Sequence, residues 1–512
     1  MTVVSQTQVV KPNKLGGKVW TSILLFGLMG QIAWVVENVY FSTFIQKNIT
    51  TEPWASSLTV AASAVVAAIV SILGGVLTDR VGKRKQFVCF GYIVWGLVTA
   101  SFAFFGNDHV AAEGVVTAVI VFVIMDCVMT LFGSLSNDAA FSAWITDVTD
   151  VTNRGFVDVI LSVMPVAALM VIFVAFDGLT QNGNWTTFFL ILGGMTAVSG
   201  IVGLFVLNDS PSLVPDRSGK YWSEVVYGFK PKNIAKHGIV YVCLLGMMFS
   251  GLSMQLWQPY MIVLLQYTLG FGDNYVLPLA LVVLLSAATA AVGGKLMDKY
   301  GRDKFFYPVA AAGVLGGLVV YAIKFVGGNS TAVFVMFVIG GTLVEGASLL
   351  AAGVFNASAR NYTPSDKAGC FQGVRIILYV MVPMVLASLI NPLIIKGFGP
   401  VLTEYNDLIT VASGYKIGDH VYPFELFLFA GVAAALVFVP AVIVKKYDKA
   451  NRGKLIAELG SENATATTEI TSKQTEPVCR AKFTVRSFDT SESAKKARYF
   501  SIIASLETSA SP

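Results

Sequence analysis

The sequence predicts an all-α membrane protein whose twelve transmembrane helices form two six-helix bundles. Of its 512 residues, 55% are hydrophobic and only 13% are charged, which is far from the composition of a soluble globular protein. A hydrocarbon core needs about 20 apolar residues per helical crossing, and only helices or closed barrels satisfy every backbone group there. The apolar runs of this chain have helix length, so they exclude a barrel. A loop motif that recurs in the second half of the chain predicts the two bundles.

Apolar runs between turn-rich breaks define the predicted helices. The first bundle contains 20–44, 58–77, 87–105, 115–144, 156–176 and 186–207. The second contains 239–267, 276–297, 305–326, 332–356, 374–395 and 422–444. The whole chain then divides into an N-terminal tail 1–19, a bundle 20–207, a linker 208–236, a bundle 237–445 and a C-terminal tail 446–512.

The charges between the helices predict the orientation in the membrane. Breaks after even-numbered helices are rich in Lys and Arg, whereas breaks after odd-numbered helices have almost none. Since cytoplasmic loops retain basic residues, both termini are expected in the cytoplasm, with the first helix retained. The tail beyond 453 is rich in Ser, Thr, Glu and Lys, which is typical of disorder. The longest outer break, 397–421, is either a solvated loop or a cover over the mouth of the pathway.

Composition also argues against several classes of function. The net charge of +5 comes from scattered basic loops, so no nucleic-acid partner is expected. The five cysteines are isolated along the chain and indicate neither a disulfide framework nor a metal site. The three histidines lie in or near loops, without a nucleophile motif. We therefore expect no enzyme activity, no cofactor and no bound metal.

One loop pattern occurs once in each half of the chain. Gly74-Gly75-x-x-x-Asp79-Arg80-x-Gly82 follows the second helix, and Gly293-Gly294-x-x-x-Asp298-Lys299-x-Gly301 follows the eighth. The two copies are 219 residues apart, since 298 minus 79 is 219. Parallel repeats of this kind are typical of transporters in which two bundles rock around a midplane site. The simpler alternative is a basic turn that sets topology.

The same offset pairs polar residues inside the predicted helices. Asp126 corresponds to Glu345, and Asn137 corresponds to Asn356. Residues eleven apart lie on one face of an α-helix, so each half presents an acid and an amide on one stripe. An ionisable residue within a membrane helix is a functional candidate, although these acids could also be packing partners of other helices. Further polar and aromatic candidates are Gln31, Glu37 and Asn38 in the first helix and Gln255, Trp257 and Gln258 in the seventh.

The repeated loops resemble the signature of the major facilitator superfamily. That resemblance implies a cavity between the bundles and a gating role for Asp79, Arg80, Gly82, Asp298, Lys299 and Gly301. The end of the fourth helix resembles that of the glycoside-pentoside-hexuronide cation symporters, the family of melibiose permease. Its acid then corresponds to Asp138 and its loop arginine to Arg154. The paired acids of that family's second helix, which bind sodium, have no counterpart in 61–73, so protons are the expected coupling ion.

These observations predict a secondary active transporter of a small polar solute. Amides and aromatic rings suit a sugar or glycoside, carried by cation symport through alternating access. The coupling ion is expected to be a proton, with sodium as the alternative, and Asp126, Asp138, Glu37 and Glu345 are the acids that could carry it. The expected partners are the solute, the coupling cation and the bilayer of the cell membrane, with the protein as a monomer. A lipid or lysolipid transporter and a transporter-derived sensor are the other hypotheses.

Overall fold

The fold comes from a computed structural model of the chain. It describes residues 15–106, 114–149, 153–210, 213, 215, 227–326, 330–363, 368–407, 409–410 and 413–450. Within these ranges, the side chains of 154, 155, 298, 368–370 and 372 are not described. About half of the predicted linker 208–236 and most of the predicted tail 446–512 therefore lie outside the described residues.

Within the described part of the chain, twelve helices are long and apolar enough to cross a membrane. The first six are α1 (Gly17–Asn48), α2 (Pro53–Val81), α3 (Arg84–Phe104), α4 (Val115–Val148), α5 (Phe156–Ala175) and α6 (Trp185–Val206). The others are α7 (Gly238–Thr268), α8 (Gly272–Met297), α9 (Arg302–Phe325), α10 (Ser330–Tyr362), α11 (Gly373–Phe398) and α12 (Glu425–Ala450). The predicted number of helices is confirmed, and most helices extend a few residues beyond the apolar runs.

The glycines of the repeated loop mark where two of the helices end. Gly82 follows α2 in the left-handed conformation, with φ +64°. Gly301 has φ +87° and directly follows the α-helical segment Val276–Tyr300, which continues α8 by one turn. Residues with a Cβ rarely adopt such angles. A Cβ at Gly82 would also lie 2.7 Å from Cγ of Pro215. The glycine spacing of the motif therefore reflects turns that only glycine makes without strain.

Glycine also allows close approach between α3 and α6. A Cβ added at Gly96 would lie 2.3 Å from the backbone nitrogen of Ala197, and one added at Gly193 would lie 2.4 Å from that of Ala100. Packing between membrane helices depends on such contacts, because lipid tails are as apolar as the side chains themselves. These two helices thus form a tightly packed pair in the first bundle.

Several membrane helices contain π-helical turns, in which each backbone N–H reaches one residue further than in an α-helix. Among the described residues these segments are Val36–Tyr40 in α1, Ser134–Phe141 in α4, Leu264–Thr268 in α7 and Ile376–Met381 in α11. A wider turn shifts the following residues around the helix axis. The side chains after it therefore face directions that a regular 3.6-residue period does not predict.

On the side away from the basic loops, hereafter the outer side, polar contacts join the two bundles. The Ser57 and Tyr260 hydroxyls are 2.9 Å apart, and the Lys396 ammonium lies 2.8 Å from the Glu52 carboxylate. The loop before α12 also reaches the first bundle, because the Thr51 hydroxyl donates to Asp419 at 2.5 Å. The last part of the long outer break thus contacts the first bundle at the loop between α1 and α2 and, through Gly414, at the end of α1.

The α3–α6 contact gives a matched pair of substitutions. We expect Gly193→Leu to destabilise the protein by about 1–3 kcal/mol, because the new side chain meets backbone atoms of α3 that have no room to move. Gly194→Leu is the control, since a Cβ there meets nothing within 4 Å. Thermal unfolding of both purified variants in detergent measures the difference. Equal Tm values would contradict the close packing of α3 on α6.

Candidate functional site

A cavity of about 390 Å³ lies between the two bundles. Three helices of the first bundle and one of the second line it: α1, α2, α4 and α11. The polar and aromatic residues of the lining are Trp34, Glu37, Asn38, Ser63, Ser71, Asp138, Ser142, Arg375 and Tyr379. The volume falls in the range of small-molecule sites, where a few polar groups orient a ligand against an apolar wall.

The first acidic feature of this site is a pair of carboxyl groups on α1 and α4. Glu37 lines the cavity, and its Oε1 accepts a hydrogen bond from the Thr130 hydroxyl at 3.1 Å, while Oε2 is buried without a partner among the described residues. Thr130 lies one turn after Asp126, which faces the same way and interacts electrostatically with Glu37. Glu37 therefore lies at the cavity wall, and Asp126 lies outside the lining but close enough to interact with it.

Asp126 is completely buried, and neither of its carboxyl oxygens has a hydrogen-bond partner among the described residues. The Ser63 hydroxyl is close enough to interact with both carboxyl groups, but its own hydrogen bond goes to the carbonyl of Val60 at 3.3 Å. An ionised carboxylate without donors is very costly in such surroundings. The pair can therefore exist at low cost only with a proton or another cation bound.

The second acidic feature is Asp138, whose surroundings differ from those of Asp126. Its side chain is exposed to the cavity, and it accepts hydrogen bonds from Ser71 at 3.4 Å and from the Asn137 amide at 3.2 Å. Asn137 is itself held by the buried Tyr92, whose hydroxyl is 2.8 Å from its amide oxygen. Asp138 is thus a fixed polar group that a bound solute could contact.

The second bundle contributes a cation and a phenol to the cavity, both from the first part of α11. Arg375 and Tyr379 line it one turn apart, with Ile376, Val380 and Met384 forming an apolar strip beside them. Glu345 of α10 interacts electrostatically with Tyr379, and its Oε2 is buried without a hydrogen-bond partner in the described part of the chain. The repeat partner of Asp126 therefore lies behind the cavity wall of the second bundle.

Aromatic and amide groups complete the wall on the side of α1. Trp34 packs on Trp95 with ring centroids 5.0 Å apart, which leaves the Trp34 ring held in place at the edge of the cavity. The Asn38 amide donates to the carbonyl of Trp34 at 2.8 Å, so its oxygen can accept from a ligand. Three of the lining helices carry their π-helical turns here, since Glu37, Asn38, Asp138 and Tyr379 all belong to such segments.

Other predicted pathway residues lie outside the cavity lining. Those residues are Gln31, Asp126, Asn137, Gln255, Trp257, Gln258, Glu345 and Asn356. Trp257 is buried against Phe427, with ring centroids 5.4 Å apart, and has no partner for its indole N–H among the described residues. Of the predicted pathway residues, the structure thus brings Glu37, Asn38 and Asp138 together at the cavity, and no predicted residue of α7 or α10 lines it.

The loops predicted to gate the pathway contain an ion-pair cluster. Arg84 is buried at the start of α3, where its guanidinium pairs with Asp79 and with Asp147 at the end of α4, the latter at 3.0 Å. Arg80 and Lys299 are exposed. In the second bundle, Arg302 pairs with Asp448 at 3.8 Å. Each of these ion pairs joins residues of one bundle, and the predicted Arg154 and Asp298 side chains lie outside the described part.

Sequence reasoning missed several residues of this site. Arg375 stands at the second position of the predicted eleventh helix and resembles a basic residue at a helix end. Ser63 and Ser71 are small hydroxyl residues in an apolar helix, where nothing in the spacing singles them out. Arg84 is one of four basic residues in its loop, with Arg80, Lys83 and Lys85, and nothing in the sequence singles it out. Tyr379 offered no signal.

Solved transporter structures share this fold. A bacterial homologue of the human lysosomal transporter Spinster, in an inward-facing and unoccupied conformation, matches with a TM-score of 0.63 and 14% identity over 85% of this chain and 98% of that one. A D-xylose-proton symporter matches with a TM-score of 0.62 and 14% identity over 83% and 96%. The nucleoside transporter NupG matches with a TM-score of 0.58 and 11% identity over 84% and 100%. At these identities the likeness concerns the fold.

None of the curated proteins matched the sequence. The profile of the Major Facilitator Superfamily matches residues 19–388, which is well over half of the chain. The match spans nearly all of the first bundle and most of the second, including every residue that lines the cavity. With twelve helices of its described part long enough to cross a membrane, and a cavity between two bundles, the chain belongs to the Major Facilitator Superfamily of transporters.

Proposed function

We propose that this protein is a secondary active transporter that carries a sugar or glycoside together with a proton by alternating access, in the cell membrane. The observation that carries the proposal is the buried carboxyl group of Asp126 next to Glu37, which itself lines a cavity with polar and aromatic groups. Asp126 and Glu37 bind the coupling ion, whereas Asp138, Arg375 and Trp34 contact the solute. No resident cofactor takes part.

The carboxyl pair supports a proton as the coupling ion. Two carboxyl groups that share a buried site do not both ionise, and neither carboxyl oxygen of Asp126 has a hydrogen-bond partner among the described residues. Glu37 lines the cavity, accepts a hydrogen bond from Thr130 and interacts electrostatically with Asp126, so it is placed to pass a proton between the cavity and Asp126. Sodium is the alternative ion, since carboxylate and hydroxyl oxygens also bind it.

The cavity lining supports a small solute with several hydroxyl groups. Asp138 and Ser71 offer acceptors, Arg375 offers donors, and Asn38 offers an amide oxygen. The Trp34 ring gives a flat surface on which the C–H face of a sugar ring packs. The D-xylose-proton symporter of the same fold is described as a carrier of that kind of substrate and ion. The lipid and sensor hypotheses remain as outcomes of the test.

The direct test uses purified protein in proteoliposomes with an imposed pH or sodium gradient. A panel of radiolabelled sugars and glycosides, with a lysolipid alongside, is added outside. We expect concentrative uptake of at least one sugar, driven by the pH gradient and abolished when it is dissipated. Uptake of the lysolipid alone would establish the lipid hypothesis in its place. Binding of a sugar without any uptake or exchange would establish a sensor.

The roles of the acids predict different defects. Asp126→Asn keeps the size of the side chain and makes it permanently neutral, so we expect loss of accumulation against a gradient while exchange of labelled for unlabelled sugar continues. Asp158→Asn is the matched control, because Asp158 is exposed on α5 and away from the cavity lining. If Asp126→Asn accumulates sugar as well as the control does, Asp126 does not bind the coupling ion.

Asp138 is proposed to contact the solute, so we expect its substitution to change the affinity for the solute. Loss of a hydrogen bond to a charged group costs about 1.5–3 kcal/mol. We therefore expect Asp138→Asn to weaken solute binding about tenfold or more, measured by the quenching of tryptophan fluorescence or by KM for exchange. Asp158→Asn again serves as the control. An unchanged affinity together with lost coupling would reverse the two assignments.

A further inference from the structure

Outside the cavity, one buried carboxylate has an unusual set of partners. Asp177 lies in the short helix Asp177–Gln181 between α5 and α6, and only 1% of it is exposed. Its Oδ1 accepts hydrogen bonds from the hydroxyls of Tyr40, at 2.9 Å, and Tyr275. Its Oδ2 accepts from the Gln181 amide at 2.5 Å. Donors therefore surround both oxygens, and hydrogen bonds to a carboxylate are stronger than those between neutral groups.

These partners come from different bundles. Tyr40 belongs to α1 in the first bundle, whereas Tyr275 belongs to the first turn of α8 in the second, and both are buried. Asp177 thus joins the outer ends of the bundles through its bond to Tyr275 and stays attached to its own bundle through Tyr40. Opening of the outer mouth requires the two bundles to separate there. It therefore requires Tyr275 to leave Asp177.

The same tyrosine connects Asp177 to the cavity. Tyr40 is the last residue of the π-helical segment Val36–Tyr40, and Glu37 and Asn38 of this segment line the cavity. A π-helical turn is a local departure from regular helix geometry, and such turns are frequent at functional sites. If a bound solute changes the geometry of this π-helical turn, Tyr40 moves together with Glu37. The segment gives a short physical connection between the solute site and Asp177.

We propose that Asp177, Tyr40 and Tyr275 form an outer latch, which keeps the outer mouth closed and is released through the segment Val36–Tyr40. The latch holds the closed conformation by one inter-bundle hydrogen bond to a carboxylate, with the Ser57–Tyr260 and Glu52–Lys396 contacts beside it. Loss of the Tyr275 hydroxyl removes that bond and leaves the ring in place. It should shift the equilibrium towards the outward-open state about tenfold, which is the size of effect of one such hydrogen bond.

The test measures access to the cavity from the outer side. Ala67 lines the cavity on α2, so Ala67→Cys in a background without the five native cysteines provides a reporter. A membrane-impermeant maleimide is added to right-side-out vesicles, and the labelling rate is compared between the parent and Tyr275→Phe. We expect labelling about tenfold faster in Tyr275→Phe. The control is Tyr267→Phe, because Tyr267 is also in the outer part of the second bundle but packs on Tyr415 of its own bundle.

The same reporter in inside-out vesicles separates release of the latch from general loosening. If the latch is released, Tyr275→Phe is labelled more slowly from the side of the basic loops, because part of the population moves to the outward-open state. An unchanged rate from the outer side in Tyr275→Phe would overturn the proposal, and so would faster labelling from both sides. Asp177→Asn is a second variant, and we expect its labelling rate from the outer side to increase by the same factor as in Tyr275→Phe or by a smaller one. None of these measurements depends on the identity of the solute or on sugar transport.

Discussion

The interior of a helical membrane bundle makes an unpaired carboxylate very costly, and the rest of this site depends on that constraint. Asp126 has no exposed surface and no hydrogen-bond partner for either carboxyl oxygen among the described residues. Glu37, its neighbour, has one oxygen on Thr130 and no partner for the other within the described part of the chain. A pair in these surroundings is stable when a cation neutralises it, and a proton is the smallest one available. In the proposed mechanism, charge movement and solute movement are coupled through the interaction of these two acids on α1 and α4.

Several polar residues that line the cavity lie in irregular, π-helical parts of their helices. Glu37, Asp138 and Tyr379 each belong to a π-helical segment, on three different helices. In contrast to these irregular segments, α3 and α6 pack closely against each other through glycine. A stiff scaffold with locally irregular turns at the cavity allows small shifts at the solute site to reach the outer ends of the bundles. The Asp177 cluster lies at the end of one such connection.

Much of the fold could be predicted from the sequence, because the two dominant signals are physical and local. Apolar runs of about 20 residues predicted the number of helices, and the loop motif repeated in both halves predicted their grouping into two bundles. The glycines of the repeated loop also reappear as residues with positive φ at positions 82 and 301. Asp126, Glu37 and Asp138 could be singled out because acids are rare in membrane helices.

Other parts of the site depend on geometry that the sequence does not reveal. The stripe predicted for Asp126 and Asn137 assumes a regular helix, and the π-helical turn of 134–141 brings Asp138 to the cavity in place of Asn137. From the sequence, Arg375 resembles an ordinary basic residue at a helix end. Only the packing of α11 near α2 places it at the cavity. The bundles are also not equivalent, since the repeat offset relates Glu345 to Asp126 but the cavity takes three helices from the first bundle and one from the second.

The most direct measurement of the central claim is difference infrared spectroscopy of the protein in lipid at neutral pH, without solute. A protonated carboxyl has a C=O stretching band that a carboxylate lacks. We expect the wild-type protein to show such a band and Asp126→Asn or Glu37→Gln to lose intensity in it, whereas Asp158→Asn leaves it unchanged. A spectrum in which none of the three substitutions alters the protonated-carboxyl region would mean that the buried pair is ionised, and it would contradict the account of proton coupling.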